Sequence, residues 1–206
     1  MEQVAEKRHT EEEYFALELA ERDTKHEFFG GKIIATAGAE MAHNSICANI
    51  IGELRNEVIK KNKKCRVLTS DQRVRGYDKE REEWVYFYPD VVLVCGKPEL
   101  TAETTPKTLL NPTVLVEVLS KSNTSREVMT KLKFYAAIDS LTDVLLVDSE
   151  SILITHFERA KEGDWLTRSY TKKSESVRIP THDLELRLAE IYRDVEFSLP
   201  PLKNSQ

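Results

Sequence analysis

The chain has 206 residues, enough for one domain with a substantial core and too few for two independent ones. Hydrophobic residues make up 40% and charged residues 32%, and Gly and Pro number seven each, which excludes a disordered chain and a fibrous repeat. A formal net charge of −5 excludes a protein that coats nucleic acid by charge alone, so any nucleic-acid contact is local.

The opening stretch MEQVAEKRHTEEEY is charged and has no apolar h-region, and no apolar run approaches the ~20 residues of a membrane span. The expectation is a cytoplasmic chain without membrane contact. Thr10 ahead of Glu11, Glu12 and Glu13 predicts an N-cap and a short amphipathic helix through Tyr14, Leu17 and Leu19. HEFFGGKIIATAG predicts a hairpin, with Gly30-Gly31 supplying a positive-φ turn between two β-prone runs. From Met41 to Lys61, Ile46, Ile50, Leu54 and Val58 recur at helical steps, which predicts the longest helix of the chain. Its basic end, continued by Lys63, Lys64 and Arg66, suits the helix dipole and reads as solvated surface as readily as a nucleic-acid contact.

CRVLTS and QRVRG read as short strands, YDKEREE as a charged turn, and WVYFYPDVVLVC as a strand pair or one bent strand. A polar loop runs from Leu100 to Asn111, and PTVLVEVLS follows as a second strand apolar on both faces apart from Glu117. Such strands belong at the centre of a sheet covered on both sides. Ser125 to Ile138 reads as a helix capped by Ser125; DVLLVDS, SILITHF, WLTRSY and SVRIP as strands; and LRLAEIY as a short closing helix. No repeat or linker divides the chain, so residues 10–197 read as one domain, with 1–9 and 198–206 as flexible termini.

The cysteines, Cys47, Cys65 and Cys95, are odd in number, widely spaced and set among apolar neighbours, which reads as three free thiols in a reducing compartment. His9, His26, His156 and His182 show no metal-binding spacing. Two carboxylates stand where burial is expensive: Asp90, after Pro89 at the head of VVLV, and Glu117, inside VLVEVL. A shared divalent cation would compensate both, and a hard ion such as magnesium takes carboxylate and backbone oxygens. The competing account makes Asp90 a turn cap and pairs Glu117 with Arg73 or Arg75.

YPDVVLV, NPTVLVEVLSKS, a helix with KLKFYAAI and a strand DVLLVD, in that order, resemble the Uma-type family of restriction-endonuclease-like bacterial proteins, within the PD-(D/E)XK nuclease superfamily. HEFFGGKI, AEMAHNSI, SDQRV and LAEIYRDVEF extend the likeness to most of the chain. The resemblance implies an α/β fold with a restriction-endonuclease-like core, a central mixed sheet flanked by helices, and an N-terminal helix and β-hairpin. It also implies a magnesium- or manganese-dependent endonuclease acting on DNA as a homodimer. Asp90 and Glu117 become the motif acids, with the main-chain carbonyl of Val118 as a third metal oxygen. The superfamily lysine two residues after the acid is replaced here by Leu119, and a lysine of the following helix substitutes, best Lys131, otherwise Lys133. Glu27, His43, Asp71 and Glu127 fall at family positions and are candidate supporting groups; Glu127 lies one helical turn before Lys131. Two alternatives are an inactive nucleic-acid-binding or regulatory module of the same fold, and a glycosidase using Asp90 and Glu117 with Trp84, Tyr86 and Tyr88 as stacking rings.

Overall fold

The computed structural model describes residues 7–36, 38–102, 107–121 and 123–197. Residues 1–6 and 198–206 of the expected flexible termini lie outside the described residues. Within the remainder of the N-terminal stretch, Arg8 pairs with Glu83 at 3.1 Å and the His9 N–H donates to the Gly31 carbonyl at 2.8 Å.

Thr10 caps helix α1 (Glu11–Ala20) in a reciprocal capping box with Glu13, as its sequence predicts. Strands β1 (His26–Phe29) and β2 (Lys32–Ala35) form the hairpin, and Gly30 and Gly31 adopt φ of 61° and 70° at its turn. Helix α2 (Met41–Lys60) leads into β3 (Cys65–Thr69), β4 (Val74–Asp78) and β5 (Glu83–Phe87), with the charged turn between the last two. Strands β6 (Val91–Cys95) and β7 (Val114–Leu119) are followed by helix α3 (Ser125–Ala136). Strands β8 (Asp143–Asp148), β9 (Ile154–Arg159), β10 (Trp165–Tyr170), β11 (Ser176–Ile179) and β12 (Leu184–Arg187) complete the strands, and helix α4 (Leu188–Ile191) closes the described fold.

The central sheet runs β10-β9-β8-β7-β6-β3, a second sheet runs β2-β1-β5-β4, and β11 pairs with β12. β7 and β8 are parallel, joined through α3, and the other pairs of the central sheet are antiparallel. Alternation along the central strands sorts the core onto two faces. Val91, Leu93, Val114, Val116 and Val118 pack with Ile46, Ile50, Leu54 and Val58 of α2. Val92, Val94 and Leu115 pack with Phe134 and Tyr135 of α3 and Val74, Val85 and Phe87 of the second sheet. This sandwiching is why β6 and β7 are apolar on both faces.

Three expectations are corrected. The cap of α3 is Thr124, whose hydroxyl accepts the Glu127 N–H in a second capping box, and the helix ends two residues earlier than expected, at Ala136. The expected closing helix begins with strand β12, where Leu184 and Leu186 are buried and alternate with the more exposed Glu185 and Arg187; its period of two outweighs the helical reading. Cys65 and Cys95 form a disulfide: antiparallel pairing of β3 with β6 sets them directly opposite each other, Cα atoms 4.0 Å apart, across 30 residues of sequence whose spacing gave no hint of it. The thiol count therefore no longer speaks for a reducing compartment. Among the described residues, no helix is long and apolar enough to cross a membrane.

Candidate active site

The site lies where β6 and β7 part. Their register runs from Leu93↔Val114 to Val91↔Val116, and it stops where Pro89 removes a ladder donor. Asp90, just outside the ladder, takes over: its Oδ2 accepts the Val118 N–H at 2.7 Å. The N–H and C=O of one strand residue point to the same side. The Val118 carbonyl therefore faces the same parting as Asp90.

Glu117 projects to the opposite face from Val116 and Val118, towards α3, and is buried. Lys131 and Tyr135, one helical turn apart, meet it there. The Tyr135 hydroxyl donates to Oε1, and the Lys131 ammonium lies 3.2 and 3.3 Å from the two carboxylate oxygens. The same ammonium donates to Glu27 Oε1 of β1 at 2.8 Å, while that oxygen also accepts the Tyr88 N–H at 3.2 Å. Lys131 thus ties the hairpin sheet to the central sheet through two carboxylates. Burial pushes the Glu117 carboxyl up to about 7; Lys131 and Tyr135 oppose that rise, and the negative charges of Asp90 and Glu27 add to it. Burial works to lower the Lys131 ammonium, but Glu117 and Glu27 outweigh it and hold its pKa above the usual lysine range.

On the other side, α2 presents His43 and Cys47 four residues apart. His43 Nε2 lies 3.2 Å from Asp90 Oδ2, and its Nδ1 is 3.6 Å from Cys47 Sγ. The bond to Asp90 raises the imidazole above its ordinary pKa despite partial burial. Of the expected residues, Asp90, Glu117, Val118, Lys131, Glu27 and His43 are brought together. Glu127 lines the cleft beside Glu117 and Lys131, but its carboxylate is engaged as the capping partner of Thr124. Asp71 is exposed and pairs with Lys25, and Lys133 pairs with Glu80. Arg73 lies with Glu18 beneath the rings of Tyr14, Phe15 and Tyr86, and Arg75 stacks on Trp84, so the cation beside Glu117 is Lys131. Tyr86 and Tyr88 are buried, which leaves no open stacking face from them for a sugar. Tyr135 and Cys47 were not singled out from sequence; the four-residue steps from Lys131 and from His43 were the available signals.

A family model described as "Putative restriction endonuclease", Uma2, matches residues 11–189. The chain belongs to the Uma2 family. Among its relatives, "Uncharacterized protein sll1609" of Synechocystis sp. is 31% identical over 142 residues, covering 69% of this chain and 76% of that protein. "Uncharacterized protein slr1290" of the same organism is 28% identical over 186 residues, covering 90% of this chain and 92% of that protein. The crystal structure of a "putative nuclease belonging to DUF820" from Anabaena variabilis matches with a TM-score of 0.64 at 16% identity, over 82% of this chain and 90% of that one. The Uma2 assignment and this likeness of fold bear out the restriction-endonuclease-like α/β architecture, with its central mixed sheet and flanking helices.

Proposed function

We propose that the chain is a magnesium- or manganese-dependent endonuclease that hydrolyses phosphodiester bonds in DNA, with Asp90, Glu117 and Lys131 as its catalytic residues. The observation that carries this is the Lys131 ammonium held between Glu117 and Glu27, with the negative charge of Asp90 close enough to Glu117 to raise its carboxyl. Glu27, Glu117 and Asp90 together outnumber the one lysine and leave an excess of negative charge against a largely buried wall, even with His43 beside Asp90. A hard divalent cation fits that donor set: carboxylate oxygens of Asp90 and Glu117 and the carbonyl of Val118. Bound there, the ion would supply charge neutralisation at the phosphate and a water of lowered pKa.

The remaining work falls to the chain's own groups. Lys131, held by Glu27, places a fixed positive charge where negative charge develops on the phosphate. Tyr135 and Lys131 fix the orientation of Glu117, and His43 and the Val118 N–H fix Asp90. Glu27 and His43 are therefore positioning residues, whereas Asp71 has no part in the reaction. A homodimer with two-fold symmetry would bring two such sites to the two strands of a duplex.

The test is incubation of the protein with plasmid, linear duplex, single-stranded DNA and RNA in manganese, magnesium or chelator, alongside Lys131→Met and Glu117→Gln. Metal-dependent cleavage of DNA by wild type only, at a mass that light scattering assigns to a dimer, is the expected result. Cleavage undiminished in Glu117→Gln would point to a contaminating nuclease, and folded, metal-binding protein without cleavage of any substrate would favour the binding-module reading.

A further inference from the structure

Cys47 has no part in the reaction proposed above, yet its sulfur faces the same corner. Cys65 and Cys95 are joined to each other, so Cys47 is the free thiol. One ligand atom each from His43, Cys47 and Asp90 lie within 4.8 Å of one another, all three residues partly buried. The imidazole stands between the other two donors, with Nε2 3.2 Å from Asp90 Oδ2 and Nδ1 3.6 Å from Cys47 Sγ. Both helix residues sit on one stripe of α2, continuous with Ile50 and Leu54, so the imidazole and the thiol are held by a packed helix. The donors differ in kind from those around Glu117. Thiolate and imidazole favour zinc, cobalt or cadmium, while a magnesium ion takes oxygen.

We propose that His43, Cys47 and Asp90 form a second metal site, selective for zinc-class ions, which competes with the hard-cation site for Asp90 and so makes the protein zinc-sensitive. The binding step transfers no electrons: the ion takes the His43 nitrogen, an Asp90 oxygen and the Cys47 sulfur, whose proton leaves to the buffer, and a water completes the shell. An ion held there ties Asp90 to α2. The competition rests on the nuclease reading; the occupancy of the site by zinc does not.

The experiment is a titration of the full chain with cobalt(II), without reductant so that Cys65–Cys95 stays closed, following the thiolate-to-cobalt charge-transfer absorption in the near ultraviolet. Wild type is expected to develop that band to one equivalent and to lose it when zinc is added. Cys47→Ser is expected to lose the band and to weaken zinc binding by at least the roughly tenfold cost of losing even an indirect ligand partner. It should keep the wild-type melting temperature and manganese affinity. His43→Gln loses affinity for cobalt but retains a thiol, which separates ligation from an adventitious cobalt–thiol contact. No band in wild type, or a band that survives in Cys47→Ser, would overturn the proposal. Manganese binding with no cobalt band contradicts this site alone. A cobalt band with no manganese site contradicts the nuclease reading alone. Zinc that binds at Cys47 without reducing metal-dependent cleavage removes the competition.

Discussion

Replacing Lys131 by Met keeps most of the side-chain volume and deletes the charge that Glu117 and Glu27 share. Removing one member of a buried ion pair costs about 3–5 kcal/mol. Here the lysine side chain retains 21% exposure and Tyr135 still donates to Glu117, so a loss of about 2–3 kcal/mol in metal-free buffer at pH 8 is expected. At 2–4 °C per kcal/mol for a chain of this size, the melting temperature falls by roughly 4–12 °C. The loss depends on pH with a definite sign. Glu117 already has a folded pKa near 7, above its ordinary value, so what it contributes to stability is present at low pH and is lost as pH rises through 7. Without Lys131, which pulls that pKa down, the carboxyl stays protonated to higher pH, and Asp90, Glu27 and Tyr135 are the groups left facing it. The deficit should therefore be small at pH 5, grow towards pH 8, and be partly recovered by manganese. Differential scanning calorimetry from pH 5 to 8, with and without manganese, measures this. A deficit of equal size at all pH values, or none at pH 8, would refute the account of Lys131 as the counter-charge of Glu117.

Other outcomes follow from the same geometry. Thr124→Ala removes the cap of the helix that carries Lys131 and should cost about 1 kcal/mol, read as a melting temperature lower by roughly 2–4 °C with manganese binding retained. Reducing Cys65–Cys95 opens a crosslink spanning 30 residues, which the chain-entropy relation values at about 3.6 kcal/mol; thermal melts with and without reductant, with mass spectrometry to count free thiols, check this. Glu27→Gln removes the oxygen charge that anchors Lys131 and should lower the cleavage rate by about 10–100-fold with the fold intact; an unchanged rate would deny Glu27 its positioning role.

The sequence carried the strands other than β12, the hairpin and the long helix, because their signals are local: alternation, a Gly-Gly turn and three- and four-residue apolar steps. It also carried the burial of Glu117, since a carboxylate inside a doubly apolar strand announces a cost that something must offset, whereas Asp90 stands just before β6 and is only partly buried. What escaped depends on contacts between distant segments. The Cys65–Cys95 bond exists because β3 pairs with β6, a register no spacing rule encodes. Lys131 bridges Glu117 and Glu27 across 14 and 104 residues, and only the packing of the hairpin sheet against the central sheet brings those carboxylates together. Thr124 rather than Ser125 caps α3, a difference of one residue between two good capping side chains.

Asp90 and Glu117 are proposed to share a divalent ion. Calorimetric titration of manganese into wild type, Asp90→Ala and Glu117→Ala, repeated with a DNA duplex present, tests it most directly. Wild type is expected to show a saturable site that both variants lose while remaining folded. A wild type with no saturable site in either condition, or variants that bind as tightly as wild type, would contradict it.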